Sequence, residues 1–484
     1  MKLQTDRPPA ASAGADAAAA ASASPKKVAG HTFDRANIPL LLTLGIGVFA
    51  GAFDLSVLSP ALPALARDFS TAPRDMAWVF TLYLLANIVS IPVMTKLSDT
   101  YGRRSIYITC VSIFAAGSVL AILSPTFGFF LAARAIQAVG AGGIFPVATA
   151  AIADRVPIER RGSALGILGA IWGVAAIVGP AVGGVLTHFL SWHWIFAANV
   201  PLAIVVISMA MRHVPTLASR LRGALDIAGI VTLAIGLLGL MIGLTRLDPN
   251  AATIGNSTVY AALGIAAVAF VLLIPIERRA ASPMISPALF ATRQLIVTYA
   301  LEIAIGLLEG ALFFIPAALV AAQHMSYAFA GAIAAIGAVV FVAVIPGAGR
   351  ALDKFGSRAV LLVGASLTAA GLAIVGAGLS SLPLVIAGLT VAGCGFGSLL
   401  GAPTRYIITN EVPSTVRASA VGLLSIFLIM GQIVGGSLAG GVVGLKLEDA
   451  AGYQHAYFTF AAVAVLTAFG TLALKSKAEE RPGN

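Results

Sequence analysis

Charge is scarce in this chain. Only 10% of its 484 residues are Asp, Glu, Lys or Arg, where a soluble globular domain carries about 25%. The mean hydropathy is +0.96, and apolar windows of about 18 or more residues recur, which excludes a soluble domain. Cysteine is nearly absent: Cys110 and Cys394 fall inside predicted spans, far apart and without metal-ligand spacing, so they read as small packing residues. His-Glu-x-x-His, Gly-x-Ser-x-Gly and any Gly-Lys dipeptide are missing, which removes metalloprotease, serine-elbow and P-loop ATPase chemistry. No enzyme activity, ATP, metal or other cofactor is therefore expected, and any work must draw on a gradient. The six histidines lie at or near span ends or in loops and make poor proton relays.

What the chain has is apolar length. A hydrocarbon core about 30 Å thick takes roughly 20 helical residues per crossing. Spans are predicted near 38–66, 75–97, 105–125, 127–153, 163–189, 192–211, 225–245, 257–276, 294–322, 328–348, 359–379, 383–408, 418–444 and 455–474. The expected fold class is an all-α polytopic membrane protein with fourteen transmembrane helices. Residues 1–36 are rich in Ala, Ser and Pro; Asp6, Asp16 and the lack of a Leu-rich core argue against a signal peptide and for a disordered cytosolic tail.

Lys and Arg mark the cytosolic side of a membrane protein. The outward loops of this arrangement hold only Arg67, Arg74, Arg246 and Lys446, while the opposite loops and both ends hold 24 basic residues, Arg103, Arg104, Arg160, Arg161, Arg279, Arg350, Arg358 and Arg417 among them. Both termini are expected in the cytosol of a bacterial inner-membrane protein. The net charge of +10 is then a topology signal; the basic residues are spread over alternate loops and form no nucleic-acid patch.

Two polar stretches are written twice. "LSDTYGRR" and "ALDKFGSR" pair Asp99 with Asp353, Gly102 with Gly356 and Arg104 with Arg358, a shift of 254 residues. "DRVPIERRGSALG" and "NEVPSTVRASAVG" pair Pro157 with Pro413, Arg161 with Arg417 and Gly166 with Gly422, a shift of 256. The expected domains are thus a six-helix bundle over 37–212, two additional helices with their linkers over 213–292, a second six-helix bundle over 293–475, and a cytosolic tail over 476–484. Parallel halves around a midplane site are the architecture of alternating-access transporters. The repeated loop, with Asp99, Gly102, Arg103 and Arg104 in one half and Asp353, Gly356 and Arg358 in the other, is suited to a cytosolic gate whose ion pairs break as the halves rock. Holding topology is the competing role, which the arginines fill in any case and the two aspartates do not.

These residues carry a resemblance. "TKLSDTYGRR" resembles the loop signature between the second and third helices of the major facilitator superfamily, matching at Leu97, Asp99, Gly102, Arg103 and Arg104 and departing at Thr95 and Thr100. "RAIQAVGAGG" resembles that family's fourth-helix motif at Arg134, Gln137, Gly140 and Gly142, with Ala138 in place of Gly. "GVAAIVGPAVGG" is similar to the fifth-helix antiporter motif at Gly179, Pro180, Gly183 and Gly184, which is thought to seal the cavity against proton leak. "FDLSVLSPALP" around Asp54 and "WHWIFAANVP" around Trp192 and Asn199 look like the fourteen-helix drug:proton antiporter branch, with His193 where that branch usually has Arg.

Charges inside spans cost on the order of 2.5 to 3.5 kcal/mol by insertion scales and call for a function. Asp54 lies near the middle of the first span and Glu309 near the middle of the ninth. Glu302, seven residues earlier, shares roughly one helix face with Glu309, about 10 Å away along the axis. Asp54, Glu302 and Glu309, with Arg134 and Gln137, are the candidates for proton coupling or substrate binding. The competing role is an ion pair with Arg134 or Arg405 that pins helices; Arg405 reads as a residue that snorkels, and Trp192 and Trp194 as interfacial anchors. The functional expectation is proton-coupled export of lipophilic cations, whose partners are small molecules, protons and membrane lipids. Export of a lipid, amphiphile or organic anion on the same fold is the alternative, a membrane-embedded enzyme and a transporter-shaped sensor being weaker ones.

Overall fold

The computed structural model describes residues 37–71, 76–216, 226–245, 257–280, 287–325, 327–443 and 450–480. The expected N-terminal tail over 1–36 and residues 481–484 of the expected C-terminal tail lie outside the described residues. The main helices are α1 Ile38–Val57, α2 Ala77–Tyr101, α3 Arg103–Ile122, α4 Phe127–Arg155, α5 Ile158–Phe189, α6 His193–His213, α7 Ile227–Thr245, α8 Ser257–Arg279, α9 Arg293–Gly310, α10 Tyr327–Phe355, α11 Ser357–Ala377, α12 Leu382–Leu400, α13 Arg417–Val443 and α14 Ala450–Thr471. Among the described residues, eleven helical stretches are long and apolar enough to cross a membrane. The other three predicted spans are also helical: α7 is shorter, α9 is broken and carries Glu302 and Glu309, and α14 ends the bundle.

Three predicted spans are not continuous helices. The first stops at Val57, passes through a tight turn at Ser59–Ala61 and resumes at Leu62–Asp68; the ninth does the same through Ala311–Phe314 into Ile315–Gln323. Pro60 and Pro316 explain both breaks, because proline lacks the N–H and disfavours helix in the residue before it. The twelfth breaks ahead of Pro403, which starts the short helix Pro403–Glu411.

The halves repeat in packing as in sequence. In the first, α1 packs on α5 and α6, α2 on α4, and α3 on α4 and α6; in the second, α9 packs on α13 and α14, α10 on α12, and α11 on α12 and α14. The halves meet along α5–α10 and α2–α13. At the first seam Gly162, Gly166 and Gly349 let the backbones touch, since a Cβ on Gly349 would meet the Gly162 carbonyl. Over the second seam lies α7, whose Leu233 and Leu237 share a core with Leu85 and Ile88 of α2 and Ile426 of α13. The repeated loops turn at Gly102 and Gly356, with φ of 95° and 84°, a backbone region that favours glycine.

Candidate functional site

Three polar clusters interrupt the apolar interior. The first is sealed inside the first half. Asp54 of α1 and Arg134 of α4 are fully buried and pair at 2.6 Å. Gln137 donates to the other carboxylate oxygen at 2.8 Å and to Ser118 at 2.8 Å, and Asn199 donates to Asp54 at 2.9 Å. Gln137 also accepts from Arg134. The guanidinium lies 4.3 Å from the ring centre of Tyr83. α4 and α6 are thereby tied to the carboxylate of α1, and α3 joins them through Ser118, which accepts from Gln137 and Asn199. The carboxylate is fully partnered, while Nε and Nη2 of Arg134 have no hydrogen-bond partner among the described residues. The sequence pointed to Asp54, Arg134 and Gln137; Asn199 stood in a quoted motif without a role, and Ser118 carried no signal.

The second cluster is a cavity of about 410 Å³ between the halves. Its walls are mostly apolar and aromatic, with Phe145 and Trp172 from the first half and Phe341 from the second. Its polar lining includes Tyr83, Asn87, Glu309, Arg405, Ser425 and Gln432. Gln432 of α13 donates to Glu309 at 2.8 Å. Arg405 does not reach for the membrane surface as its sequence position suggested. It is 8% exposed, donates to the Leu400 carbonyl at 2.8 Å and stacks across the seam on Phe145, 4.7 Å from the ring centre. The short helix Pro403–Glu411 starts deep in the bundle, which is why its Arg is held inside. Glu302 lies one heptad below Glu309, is 2% exposed and does not line the cavity. Asp54 and Arg134 are likewise outside the lining; Tyr83, which does line it, stands between.

The third cluster joins the halves at the repeated loops. Asp99 accepts from the backbone N–H of Ala418 and of Ser419, at 3.1 and 2.8 Å, and from the Ser419 hydroxyl at 2.6 Å. Asp353 accepts from the N–H of Gly162 and of Ser163, each at 2.9 Å, and from the Ser163 hydroxyl. Each aspartate of one half thus holds the start of α5 or α13 in the other. Arg103 pairs with Asp99 and, at 3.0 Å, with Asp154, and donates to the Ser414 carbonyl at 2.7 Å. Arg417 pairs with Asp154, and Arg161 donates to Asn410. Arg104 and Arg358, expected in this gate, are half-buried and form no salt bridge among the described residues. The counterpart of Arg103 is Ser357, whose N–H and hydroxyl donate to Glu480 beyond α14.

Of the predicted antiporter motif, Gly179 and Gly183 face α1, where an added Cβ would strike Ser56 and the Val57 carbonyl, and Gly184 faces open space. Ser56 donates to the Ala175 carbonyl across the same contact at 3.0 Å. Pro180 lies within α5, but its side chain is outside the described residues. Trp192 is not an interfacial anchor: it is 2% exposed, donates to Asp68 at 2.6 Å and packs on Phe130. Trp194 is 54% exposed.

Two pseudo-equivalent helical halves, a cavity lined by both and a polar lock between them are the features of a membrane transporter. The Major Facilitator Superfamily family model matches residues 44–308 and 299–484, and the chain belongs to that family. It is 32% identical over 410 residues to the uncharacterized MFS-type transporter YfiU of Bacillus subtilis, covering 82% of this chain and 78% of that one. It is 33% identical to Rv1877 of Mycobacterium tuberculosis over 82% of this chain, spanning 50% of that protein's length. Multidrug resistance protein 3 of B. subtilis is 30% identical over 53% of this chain and 51% of its own. Among solved structures, the human organic anion transporter MFSD10 matches with a TM-score of 0.68 and 16% identity, over 91% of this chain and all of that one, which supports the fold.

Proposed function

We propose that this transporter exports lipophilic cations in exchange for protons. The observation that carries the reading is the cavity between the halves: its walls are apolar and aromatic, and among the described residues Glu309 is the one carboxylate on them. Such a surface suits a hydrophobic cation, whose ring system the aromatics cover and whose charge the carboxylate neutralises. A proton and a cation compete for a carboxylate in this setting, so binding one releases the other. The similarity to a multidrug resistance protein is consistent with this. Energy would come from the proton gradient, each charge moved being worth about 2.3 kcal/mol per 100 mV, with both termini in the cytosol of a bacterial inner membrane. The lock at the repeated loops is then the cytosolic gate in its closed state.

Arg405 on the same wall favours a second reading, an exporter of organic anions or amphiphiles. Substrate charge separates the two. Purified protein in liposomes with a pH-sensitive dye inside, given a proton gradient and then ethidium, should show cation-dependent proton flux. The flux should vanish in Glu309→Gln and survive in a variant outside the cavity such as Trp194→Phe. Flux with organic anions alone, dependent on Arg405, would replace the first reading with the second.

A further inference from the structure

Glu302 has no place in the cavity, yet it is a buried, ionisable and incompletely satisfied group: its Oε2 atom has no hydrogen-bond partner among the described residues. The same is true of Nε of Arg405. Arg405 forms no salt bridge among the described residues; it donates to the Leu400 and Gly401 carbonyls. α9, which carries Glu302 and Glu309, packs on the short helix Pro403–Glu411 that carries Arg405, and Arg405 and Glu309 line the same cavity. Glu309 in turn faces Gln432 and Arg405. One guanidinium is thus placed against the helix that carries two carboxylates seven residues apart, and among the described residues it forms a salt bridge with neither.

We propose that Glu302 is the proton carrier, Glu309 the substrate carboxylate, and Arg405 the charge that passes between them. This rests on the cation-export reading and divides its labour. With Glu302 protonated and neutral, Arg405 neutralises Glu309 and the empty site has no net charge. When a cation enters and pairs with Glu309, Arg405 is displaced toward Glu302, whose O–H bond breaks and whose proton leaves to solvent. Glu302 as carboxylate then pairs with Arg405, and the loaded site is again neutral. Both states avoid an unpaired charge in a low-dielectric interior. A state with cation and proton bound together leaves Arg405 unpaired, and a state with neither leaves one carboxylate unpaired. Exchange of one for the other follows from charge balance.

The test is equilibrium binding of ethidium to the full-length protein in detergent between about pH 6 and pH 8.5, with proton release read in weak buffer. Wild type should bind more tightly as pH rises and release about one proton per cation. Glu302→Gln, locked in the protonated charge state, should bind at least about tenfold more weakly at high pH, roughly 1.4 kcal/mol, with a flat pH profile and no proton release. Removing the competitor should repair this: Glu302→Gln with Arg405→Gln should regain affinity and stay flat. Glu302→Asp should keep pH dependence and release, which separates titration from folding. Wild-type binding with Glu302→Gln unchanged in affinity and release, or a double variant as weak as the single, overturns the division of roles alone. A wild type that binds neither ethidium nor tetraphenylphosphonium overturns the cation reading and this assignment together.

Discussion

Asp99 and Asp353 perform the same act on opposite halves of the protein. Asp99 of α2 accepts two backbone N–H bonds at the start of α13, and Asp353 of α10 accepts two at the start of α5. Each also takes a hydroxyl, from Ser419 or Ser163. At α13 the N–H groups belong to the first turn, where exposed N–H groups and the helix dipole together favour a carboxylate; Gly162 and Ser163 lie in the second turn of α5. Rotation of one half against the other must break both sets at once, so the two aspartates stabilise one conformation in common.

Asp99→Asn and Asp353→Asn should therefore each weaken the closed loop end by about 1.5–3 kcal/mol, the usual worth of a hydrogen bond to a charged group. Hydrogen–deuterium exchange should rise around Gly162–Ser163 of α5 and Ala418–Ser419 of α13 in either variant, including the turn the mutated residue does not touch. An increase confined to the directly contacted turn would mean the two contacts open independently.

Beside this shared act the lock is asymmetric at a second pair of arginines. Arg417 meets the carboxylate of Asp154, while its counterpart Arg161 meets the amide of Asn410. Asn410→Asp would give Arg161 a charged partner. The expected result is a closed state more stable by about 1 kcal/mol or more, seen as a higher midpoint in thermal unfolding and a lower transport rate. A variant that is more stable and faster would show that opening at Arg161 does not limit turnover.

How far the sequence revealed these features depended on whether they were local or repeated. Helical spans and the duplication were legible because apolar length and fixed shifts survive without any knowledge of contacts. The pairing of Asp154 with Arg417 was not, since loops from different halves meet there. The repeat did hold the clue: Asp154 aligns with Asn410 and Arg161 with Arg417 at the shift of 256, and exchange between halves is what a pseudo-symmetric seam produces. Pro60 and Pro316 were visible but absorbed into long spans, because apolar length alone does not register a helix break. Trp192 and Arg405 were misplaced for a related reason: position along a span was taken as depth, and the turns at Pro403 and after Phe189 bring both residues inward.

Asp54 and Arg134 carry a prediction about stability. Neither is exposed, and Nε and Nη2 of Arg134 already lack partners. Asp54→Asn would leave the guanidinium charged and unpaired, a change that typically costs about 3–5 kcal/mol. Thermal unfolding in detergent should show a large loss in Asp54→Asn and a partial recovery when Arg134→Gln is added. Loss of transport in Asp54→Asn with an unchanged unfolding midpoint would instead assign the aspartate a direct part in coupling.

The α1–α5 contact yields the sharpest contrast among neighbouring positions. A methyl group on Gly183 would drive into the Val57 carbonyl, which is backbone and cannot yield without separating the helices. On Gly179 it would meet the Ser56 hydroxyl, which can rotate at the cost of its bond to Ala175, and also the Ser56 Cβ at 2.8 Å, which cannot rotate away. On Gly184 it would meet nothing within 4 Å. Overpacking of a tight interface costs about 1–3 kcal/mol, so Gly183→Ala should lose the most stability, Gly179→Ala less, and Gly184→Ala little. Proton leak into dye-loaded liposomes without substrate should follow the same order, because the contact that packs the helices is also the one that closes the space between them. A leak in Gly184→Ala as large as in Gly183→Ala would separate the motif's sealing from its packing.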